Sequence, residues 1–279
     1  SSIAHKLIEL NFKVLILDNL HTGRKKNIPK RAKFIKCNLQ SYNAIKQIFQ
    51  KYKINHIFHQ AALANVRESI IKPKKYIDVN LIGSLNLIEL SKQYNVKSFT
   101  FASSGGCVYG QSKRIPTSEN AIISPLDPYG ATKSNFETYL DIYHRLHGIN
   151  YTSLRYANVY GPRQNPFGEA GVISIFSKLL LNNSQATING DGENIRDFVY
   201  IDDVVDANIL AMKKSANCSL NVGTGKGITI NNLYKNLKKI IGSDLRPFYG
   251  SEKEGEVKKS ILNIEKIKNL YRWKPKTKF

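Results

Sequence analysis

The sequence predicts an α/β fold with a doubly wound parallel sheet, and three observations support it. Short apolar runs alternate with stretches of helical periodicity as far as about residue 148, the order expected of parallel strands joined by helices. Several of these runs end in small or polar residues, as strands do at an edge that binds ligands. The 279 residues, 42% of them hydrophobic, can enclose a sizeable core. We predict a first domain over residues 1–160 and a smaller lobe over 161–279, with some segments returning to the sheet.

The net charge of +21 would by itself suggest an anionic partner such as nucleic acid. The lysines are scattered, however, and no block of five or more basic residues occurs. We interpret the charge as a lysine-rich surface with some attraction for phosphates, and we predict no specific nucleic-acid partner. Salt-sensitive binding of DNA or RNA would contradict this interpretation.

Cysteine usage and hydropathy bear on disulfides, metal sites, cellular compartment and membrane spans. Cys37, Cys107 and Cys218 are odd in number and far apart, with no Cys-x-x-Cys spacing, so the sequence supports neither a disulfide framework nor a zinc site. We predict a reducing, cytoplasmic location and no bound metal. No apolar run approaches the roughly 18 residues that a membrane span needs, and no signal-peptide pattern opens the chain.

The first half of the chain alternates predicted helices and strands. Ile3, Leu7 and Leu10 have helical spacing, and an apolar strand over 13–17 follows and ends at Asp18. The other elements predicted here are strands over 33–37, 55–58 and 97–102, a helix over 41–52 capped by Ser41, and a helix over 75–94. In the second half, the glycine-rich stretch 223–227 lacks the spacing of a P-loop, and we predict a strand-to-helix turn there.

The stretch 97–133 carries the strongest chemical signal. The strand over 97–102 leads into Ser103 and Ser104, and Pro128 stands where a helix over 129–146 can begin. Tyr129 and Lys133 are four residues apart, so they share one face of that helix. A phenol beside an ammonium is suited to proton transfer, because the cation favours the phenolate.

The spacing alone is weak evidence, because the chain contains five Tyr-x-x-x-Lys pairs. Only the pair Tyr129 and Lys133 opens a predicted helix downstream of a strand that ends in two serines. That context could place three polar groups at one edge of a parallel sheet. We therefore select this pair as the candidate acid/base centre.

These residues also resemble a known family. Ser103-Ser104 before Val108-Tyr109-Gly110, followed by Pro128-Tyr129-Gly130-Ala131-x-Lys133, is similar to the extended short-chain dehydrogenases/reductases, and among them to the NAD-dependent nucleotide-sugar epimerases and dehydratases. The similarity extends over essentially the whole chain. It implies a Rossmann-like NAD-binding domain over 1–160, a UDP-sugar-binding lobe over 161–279, and a homodimer formed through the helices 75–94 and 129–146.

The resemblance assigns the NAD cofactor to residues at several strand ends. Asp18 would bind the ribose hydroxyls, and Asn38 stands where the family usually has an aspartate beside the adenine. In the family, a glycine-rich turn precedes such an acidic residue by about 20 positions. That turn would fall before residue 1, so we expect the first strand and the turn to be missing from this sequence. The implied NAD-binding residues are Asp18, Asn19, Thr22, Gly23, Asn38, Leu39, Gln60, Ala61, Ala62, Asn80, Tyr129 and Lys133.

The resemblance assigns the UDP-sugar to the second lobe and to Ser104. Asn158, after a strand over 151–157, would face the nucleotide-sugar, and Arg196 would hold its phosphates through a guanidinium fork. Lys253 replaces the family's second phosphate-binding arginine. Ser260 stands where a small side chain leaves room for an N-acetyl group, which implies activity on UDP-N-acetylglucosamine as well as UDP-glucose.

The residues that follow Ser103 and Ser104 favour one reaction of the family. Dehydratases carry an acidic residue beside the strand-end hydroxyl, whereas this chain has Ser-Ser-Gly-Gly-Cys at 103–107. C4 epimerisation of a UDP-hexose through a 4-keto intermediate is therefore expected, with Tyr129 as the acid/base, Lys133 supporting it and Ser104 binding O4 of the sugar. Counting back from Val108-Tyr109-Gly110 instead reaches Gly105, which has no hydroxyl, so Ser103 is kept as the alternative.

Two other functions stay open. Another dehydratase or reductase of the same fold would form a stable keto-deoxy or reduced product. A truncated, non-catalytic nucleotide-sugar-binding protein would bind UDP without NAD.

Overall fold

The computed structural model describes residues 1–167, 171–252 and 257–279. The chain divides into two compact units that interleave along the sequence. Unit 1 comprises 1–103, 127–154 and 204–220, and unit 2 comprises 104–126, 155–203 and 221–279. The assignment of one ligand to each of the lobes 1–160 and 161–279 stays a prediction.

The first half of the chain contains long, regular elements. They are α1 (Ser2–Glu9), β1 (Leu15–Asp18), a 3₁₀ turn (Lys25–Asn27), β2 (Lys33–Lys36), α2 (Tyr42–Lys51), β3 (His56–His59), α3 (Val66–Ile71), α4 (Pro73–Tyr76), a π-helical segment (Ile77–Ile82), α5 (Gly83–Gln93), β4 (Ser98–Ser104) and α6 (Pro128–His147).

The second half contains shorter strands. Its elements are β5 (Tyr151–Tyr156), β6 (Asn158–Tyr160), α7 (Val172–Leu181), β7 (Thr187–Asn189), β8 (Ile195–Arg196), β9 (Phe198–Tyr200), α8 (Ile201–Lys213), β10 (Ser219–Val222), β11 (Ile228–Thr229), α9 (Ile230–Ile241), β12 (Phe248–Gly250), β13 (Lys259–Ser260) and α10 (Glu265–Tyr271).

Unit 1 is organised around parallel strands and an aromatic core. β1 pairs with β2 in parallel, and β3 pairs with β4 in parallel within a four-stranded sheet of order β10-β5-β4-β3. The rings of Phe99, Phe101 and Phe136 are almost fully buried in the core. Burial of such side chains contributes about 1.5–3 kcal/mol each. Parallel strands alternating with helices confirm the predicted α/β class.

The helix that follows the serines is fixed at both ends by the sequence. Asp127 accepts a hydrogen bond from the backbone N–H of Gly130 at 2.7 Å, and Pro128 occupies the first helical position. Gly148 ends α6 with a φ of 68°, a conformation that favours glycine. The predicted helix 129–146 is therefore confirmed to within a residue at each end.

Unit 2 is built from strands of two or three residues around a second apolar core. Its sheets are β11-β8-β13, β12-β7 and β6-β9. Phe176, Ile188, Phe198 and Leu233 are buried in its core. Strands this short form few ladder hydrogen bonds, so other contacts must define their positions.

Several predicted elements differ from the structure, and one or both ends differ by one or two residues for the strands predicted over 13–17, 33–37, 55–58 and 151–157. Helical structure begins at Pro73 rather than at residue 75, because proline fits the first helical position, and its middle is π-helical. The strand predicted over 97–102 extends to Ser104. Ser41 occupies the N-cap of α2, but its side chain makes no capping hydrogen bond.

The structure also describes possible membrane helices and the state of the cysteines. Across the described residues, we find no helix with the length and apolar character that a membrane crossing requires. Cys37, Cys107 and Cys218 are not joined in disulfides. The cytoplasmic location stays a prediction.

Candidate active site

The start of α6 holds the candidate acid/base pair in unit 1. Ser69 of α3 is fully buried, and its hydroxyl accepts a hydrogen bond from the backbone N–H of Tyr129 at 3.2 Å. Asp127 binds the next N–H of the same turn. Two side chains therefore satisfy the first amides of the helix and fix the backbone that carries Tyr129.

Lys133 is buried and directed toward the end of β4. Its Nζ donates a hydrogen bond to the carbonyl oxygen of Ala102 at 2.7 Å. The same Nζ lies 4.7 Å from the ring centre of Phe101 and 5.8 Å from that of Tyr129. A desolvated ammonium beside a phenol favours the phenolate. The structure therefore places the ammonium of Lys133 near the ring of Tyr129, and the acid/base role of the pair stays a prediction.

The serines at the end of β4 differ in their surroundings. Ser103 is buried, and its Oγ has no hydrogen-bond partner among the described residues. Ser104 is half-buried and is the first residue of unit 2, where its carbonyl oxygen accepts the N–H of Val108 at 3.1 Å. The next residue is Gly105. A Cβ at this position would lie 2.5 Å from Cδ1 of Leu262, so a larger residue would clash.

The predicted cofactor residues of β1 and β2 lie at one sheet edge. The parallel register pairs Asp18 with Lys36, so Asn38 follows directly beyond that pair. Oδ1 of Asp18 accepts the N–H of Leu20 at 2.6 Å, and Oδ2 accepts no hydrogen bond from the described residues. A Cβ on Gly23 would lie 2.8 Å from Oδ1. Glycine therefore keeps this carboxylate accessible.

The remaining predicted cofactor residues are either exposed or packed nearby in unit 1. Asn19, Thr22, Asn38, Gln60 and Ala61 are exposed, and Leu39 and Ala62 are half-buried. Gln60 donates from Nε2 to Oδ1 of Asn208 at 3.3 Å. Gly83 allows the close approach of Leu39, because a Cβ at Gly83 would lie 2.9 Å from that of Leu39.

Asn80 is fully engaged by the protein. Its Oδ1 accepts the N–H of Leu63 at 2.8 Å, and its Nδ2 donates to the carbonyl oxygen of Leu63 at 2.9 Å and to Oγ1 of Thr132 at 3.2 Å. Thr132 precedes Lys133 on α6. Asn80 therefore ties the loop after β3 to the helix of the acid/base pair, and it does so from a π-helical turn, a feature frequent at functional sites.

His59, the last residue of β3, is a buried neighbour that the sequence analysis did not single out. Its Nε2 lies 2.6 Å from Oγ of Ser84, and its ring packs against Phe99 and Phe136. Burial, with a further contribution from the charge of Lys133, lowers the pKa of His59 to about 3. The imidazole is therefore neutral at physiological pH, and it adds no second positive charge beside Lys133.

In unit 2, three predicted substrate residues lie on the strands β6, β8 and β13. Arg196 of β8 is the register partner of Ser260 of β13. The N–H of Asn158 donates to the carbonyl oxygen of Asp197 at 2.9 Å, and the N–H of Asp197 donates to that of Ser260 at 3.0 Å. Nη1 of Arg196 donates to the carbonyl oxygen of Ile195 at 3.0 Å. Lys253, which was also predicted to bind the substrate, lies outside the described residues.

Asp197 was missed by the sequence analysis. Its Oδ1 accepts the N–H and the hydroxyl of Thr224, at 2.8 and 2.6 Å, and its Oδ2 accepts the N–H groups of Gly225 and Leu262, at 3.2 and 3.3 Å. Burial raises the pKa of the Asp197 carboxyl above its ordinary value, against the lowering effect of these hydrogen bonds. Its partners are distant in sequence, so no local pattern could have revealed it.

The same contacts explain the glycine-rich stretch that begins at Gly223. Successive N–H groups of such a turn form a concave site for an anion. Here the anion is the carboxylate of Asp197 itself. A Cβ on Gly223 would lie 2.6 Å from Oδ2 of Asp197, which accounts for that glycine. The stretch is a turn between β10 and the two-residue strand β11, which α9 follows, so it joins two strands rather than the predicted strand and helix.

The residues of unit 1 fit a dinucleotide cofactor. Asp18 presents an acceptor-only oxygen, suited to ribose hydroxyls, and Gly23 keeps the space beside it open. Lys133 supplies an ammonium at the end of β4. No group of three or more histidine, cysteine or acidic side chains that could hold a metal ion occurs in the described ranges.

The sequence is similar to proteins of one known family. The model of the NAD dependent epimerase/dehydratase family matches residues 1–223. A protein of Methanocaldococcus jannaschii named "Putative UDP-glucose 4-epimerase" is 44% identical over 275 residues, which cover 99% of this chain and 89% of that protein.

Solved structures show the same similarity. The UDP-glucose 4-epimerase of Thermotoga maritima, solved with UDP-glucose, has a TM-score of 0.98 at 44% identity, covering 99% of this chain and 90% of that one. The UDP-N-acetylglucosamine 4-epimerase of Methanobrevibacter ruminantium, in complex with UDP-N-acetylmuramic acid, has a TM-score of 0.93 at 35% identity, covering 98% and 88%. These matches confirm the predicted Rossmann-like fold.

Proposed function

The chain belongs to the NAD dependent epimerase/dehydratase family, and on that premise we propose that it interconverts UDP-hexoses that differ in configuration at C4. The observation that carries this proposal is the pair at the start of α6. Side chains accept hydrogen bonds from the backbone N–H groups of Tyr129 and Gly130 at the start of the helix. The buried ammonium of Lys133 lies 5.8 Å from the centre of the Tyr129 ring. Relatives named UDP-glucose 4-epimerases support the choice of reaction and substrate.

In this proposal the phenol of Tyr129 exchanges a proton with the 4-hydroxyl of the sugar. The charge of Lys133 favours the phenolate, which can accept that proton and return it after the sugar has turned. Ser104 donates a hydrogen bond to O4 of the sugar, and Ser103 is the alternative donor. NAD, when bound, supplies the hydride acceptor and donor that connects the two epimers through the 4-keto sugar.

The cofactor would be held by unit 1. Asp18 would accept hydrogen bonds from ribose hydroxyls, with Gly23 leaving room for the ribose. Lys133 would bind the nicotinamide ribose. The other residues proposed to line the cofactor are Asn19, Thr22, Asn38, Leu39, Gln60, Ala61, Ala62, Asn80 and Tyr129. Asn80 would contribute mainly by fixing the loop after β3, because its amide is already bonded to Leu63 and Thr132.

The nucleotide-sugar would be held by unit 2. Arg196 would bind the diphosphate through its planar guanidinium, while Asn158 would contact the nucleotide-sugar. Lys253 would add a point charge. Ser260, next to Arg196 across the β8–β13 pairing, would leave space for an N-acetyl group. We therefore expect turnover of UDP-N-acetylglucosamine as well as UDP-glucose.

The proposed assembly is a homodimer formed through the helical stretch Pro73–Gln93 and α6. These elements expose apolar side chains, including Ile77, Ile82 and Tyr139, of the kind that a partner helix would cover. A single charge on that surface, Ile82→Glu, should convert a dimer into a monomer in light scattering. A wild-type chain that is already monomeric would contradict this assembly.

The reaction is tested by identifying the product. We expect the wild-type chain, supplied with NAD⁺ and UDP-glucose, to form UDP-galactose, which proton NMR distinguishes by its sugar signals. A stable keto-deoxy product would instead indicate a dehydratase, although the segment 103–107 contains no acidic residue. Binding of UDP without any conversion would indicate a binding protein and contradict the proposal.

A further inference from the structure

We infer that Asp197 is a positioning residue that holds the substrate-binding residues of unit 2 in register. Its backbone lies between two of them, accepting from Asn158 and donating to Ser260, and it is covalently joined to the third, Arg196. This inference depends on the proposed function, because it assumes that these three residues bind the UDP-sugar.

The side chain of Asp197 connects the segments that flank the sheet β11-β8-β13. Thr224 and Gly225 precede β11, and Leu262 follows β13, and all of them donate to its carboxylate. β8 stands between these two strands, and Arg196 is its last residue. Asp197 therefore joins the neighbours of β8 on both sides.

The sheet needs such a connection because its strands are very short. β8, β11 and β13 contain two residues each. Two-residue strands provide too few ladder bonds to define a register by themselves, and a slip of one residue would turn Arg196 to the other face. Four hydrogen bonds to one carboxylate supply the missing constraint.

The four hydrogen bonds to the side chain of Asp197 suit a carboxylate and not an amide. All four contacts come from donors, and a carboxylate accepts without donating. An amide in its place would turn an N–H₂ group toward two of those donors. Asp197→Asn therefore keeps the volume of the side chain but breaks half of the connection, which makes it the most informative substitution.

The test measures UDP binding by calorimetry in the absence of NAD, together with kcat and KM for UDP-glucose. We expect Asp197→Asn to weaken UDP binding and to raise KM by about 10-fold or more, since hydrogen bonds to charged groups are worth that much. The affinity for NAD⁺ should change by less than about twofold, because its proposed residues lie in unit 1. Asp191→Asn is the matched control, an exposed aspartate in a nearby turn, and should change nothing.

A double-mutant cycle separates positioning from general destabilisation. If Asp197 acts through Arg196, Asp197→Asn should change UDP affinity by less than about twofold in an Arg196→Ala background. Fully additive effects, or unchanged UDP affinity in the single variant, would overturn the inference. Should Asp197→Asn fail to fold, Thr224→Val removes one hydroxyl donor with little change in volume and should show a smaller effect of the same pattern.

The same data separate this inference from the proposed function. A wild-type chain that binds UDP but converts no UDP-sugar would refute the function, while UDP affinity would still test Asp197. Normal turnover with an unchanged KM in Asp197→Asn would refute the inference alone. A wild-type chain that binds no UDP would overturn both.

Discussion

The two units place functional residues by different physical means. In unit 1 the acid/base pair stands on α6, a helix of 20 residues that packs beside a seven-residue strand. In unit 2 the proposed substrate residues stand on strands of two or three residues, tied by buried side chains such as Asp197 and Asn221. Regular elements position the first set through periodic packing, whereas polar contacts between distant segments position the second.

Unit 2 contains a second polar connection that strengthens this contrast. Asn221 is fully buried, and its Oδ1 accepts the hydroxyl of Tyr109 at 2.7 Å. Its Nδ2 donates to the carbonyl oxygens of Thr117 and Asn263, at 2.9 and 3.0 Å. Arg155 donates to the same tyrosine hydroxyl at 2.8 Å. Four sequence segments therefore meet at one amide.

The largest effect is expected from removing the ammonium of unit 1. Lys133→Met should lower kcat by about 10²- to 10⁴-fold, the contribution typical of acid/base groups and their partners. UDP affinity should stay unchanged, because the proposed UDP residues belong to unit 2. Lys46→Met, in the Tyr42–Lys46 pair with the same spacing, is the matched control. Equal losses in both variants, measured by steady-state kinetics, would contradict the assignment.

The next effect compares a polar contact of unit 2 with an apolar contact of unit 1. Asn221→Leu leaves several buried partners unsatisfied and should cost about 2–4 kcal/mol. Leu140→Ala, at a fully buried position of α6, should cost about 2–5 kcal/mol by opening a cavity. Trp273, the only tryptophan, is buried in unit 2 and reports on that unit in urea unfolding. A negligible cost for Asn221→Leu would show that unit 2 does not depend on its polar contacts.

A smaller effect concerns pH. Burial lowers the pKa of His59 to about 3, so between there and the ordinary value of about 6.5 the unfolded chain binds a proton that the folded protein does not. The free energy of unfolding should therefore fall as pH falls, by about 2 kcal/mol between pH 6.5 and 5. Urea titrations at several pH values measure this slope.

A matching variant identifies the source of that slope. His59→Gln should flatten it relative to the wild-type chain. Some slope should persist in His59→Gln, because burial and the charge of Lys97 also lower the pKa of His56. An unaltered slope in His59→Gln would refute the role given to His59.

The smallest effect is expected at the helix start of unit 1. Ser69→Ala removes the hydroxyl that accepts the N–H of Tyr129 and should cost about 1 kcal/mol, the value of a lost cap. Ser134→Ala removes a hydroxyl that binds only within α6, to the carbonyl oxygen of Ala131, and serves as the control. Thermal unfolding measures both. A Ser69 variant no less stable than the control would show that α3 does not support the start of α6.

The same contrast explains how much the sequence could predict. Pro128 and Gly148 mark the ends of α6 locally, so the helix was predicted correctly, and the role of the pair on it stays a prediction. The strand ending at Asp18 was likewise found from its apolar run, one residue short of its structural end. Both depend on neighbours within a few positions, where periodicity and capping act.

The contacts of unit 2 are invisible to such reasoning. Asp197 binds Thr224, 27 residues away, and Leu262, 65 residues away. The glycine-rich turn was recognised as a turn, but its internal anion could not be. In unit 1, the burial of His59 and the bonds of Asn80 to Leu63 also depend on tertiary packing. Local patterns identify elements, and the contacts that align short elements need the structure.

The most direct test of the account is Tyr129→Phe, followed by turnover of UDP-glucose and by calorimetric binding of UDP. We expect turnover to be lost while UDP binding is retained, because the phenol belongs to the proposed acid/base pair and not to the proposed UDP-binding residues. Tyr42→Phe, at the exposed tyrosine of the Tyr42–Lys46 pair, should keep both. Substantial remaining epimerisation in Tyr129→Phe would contradict the central claim.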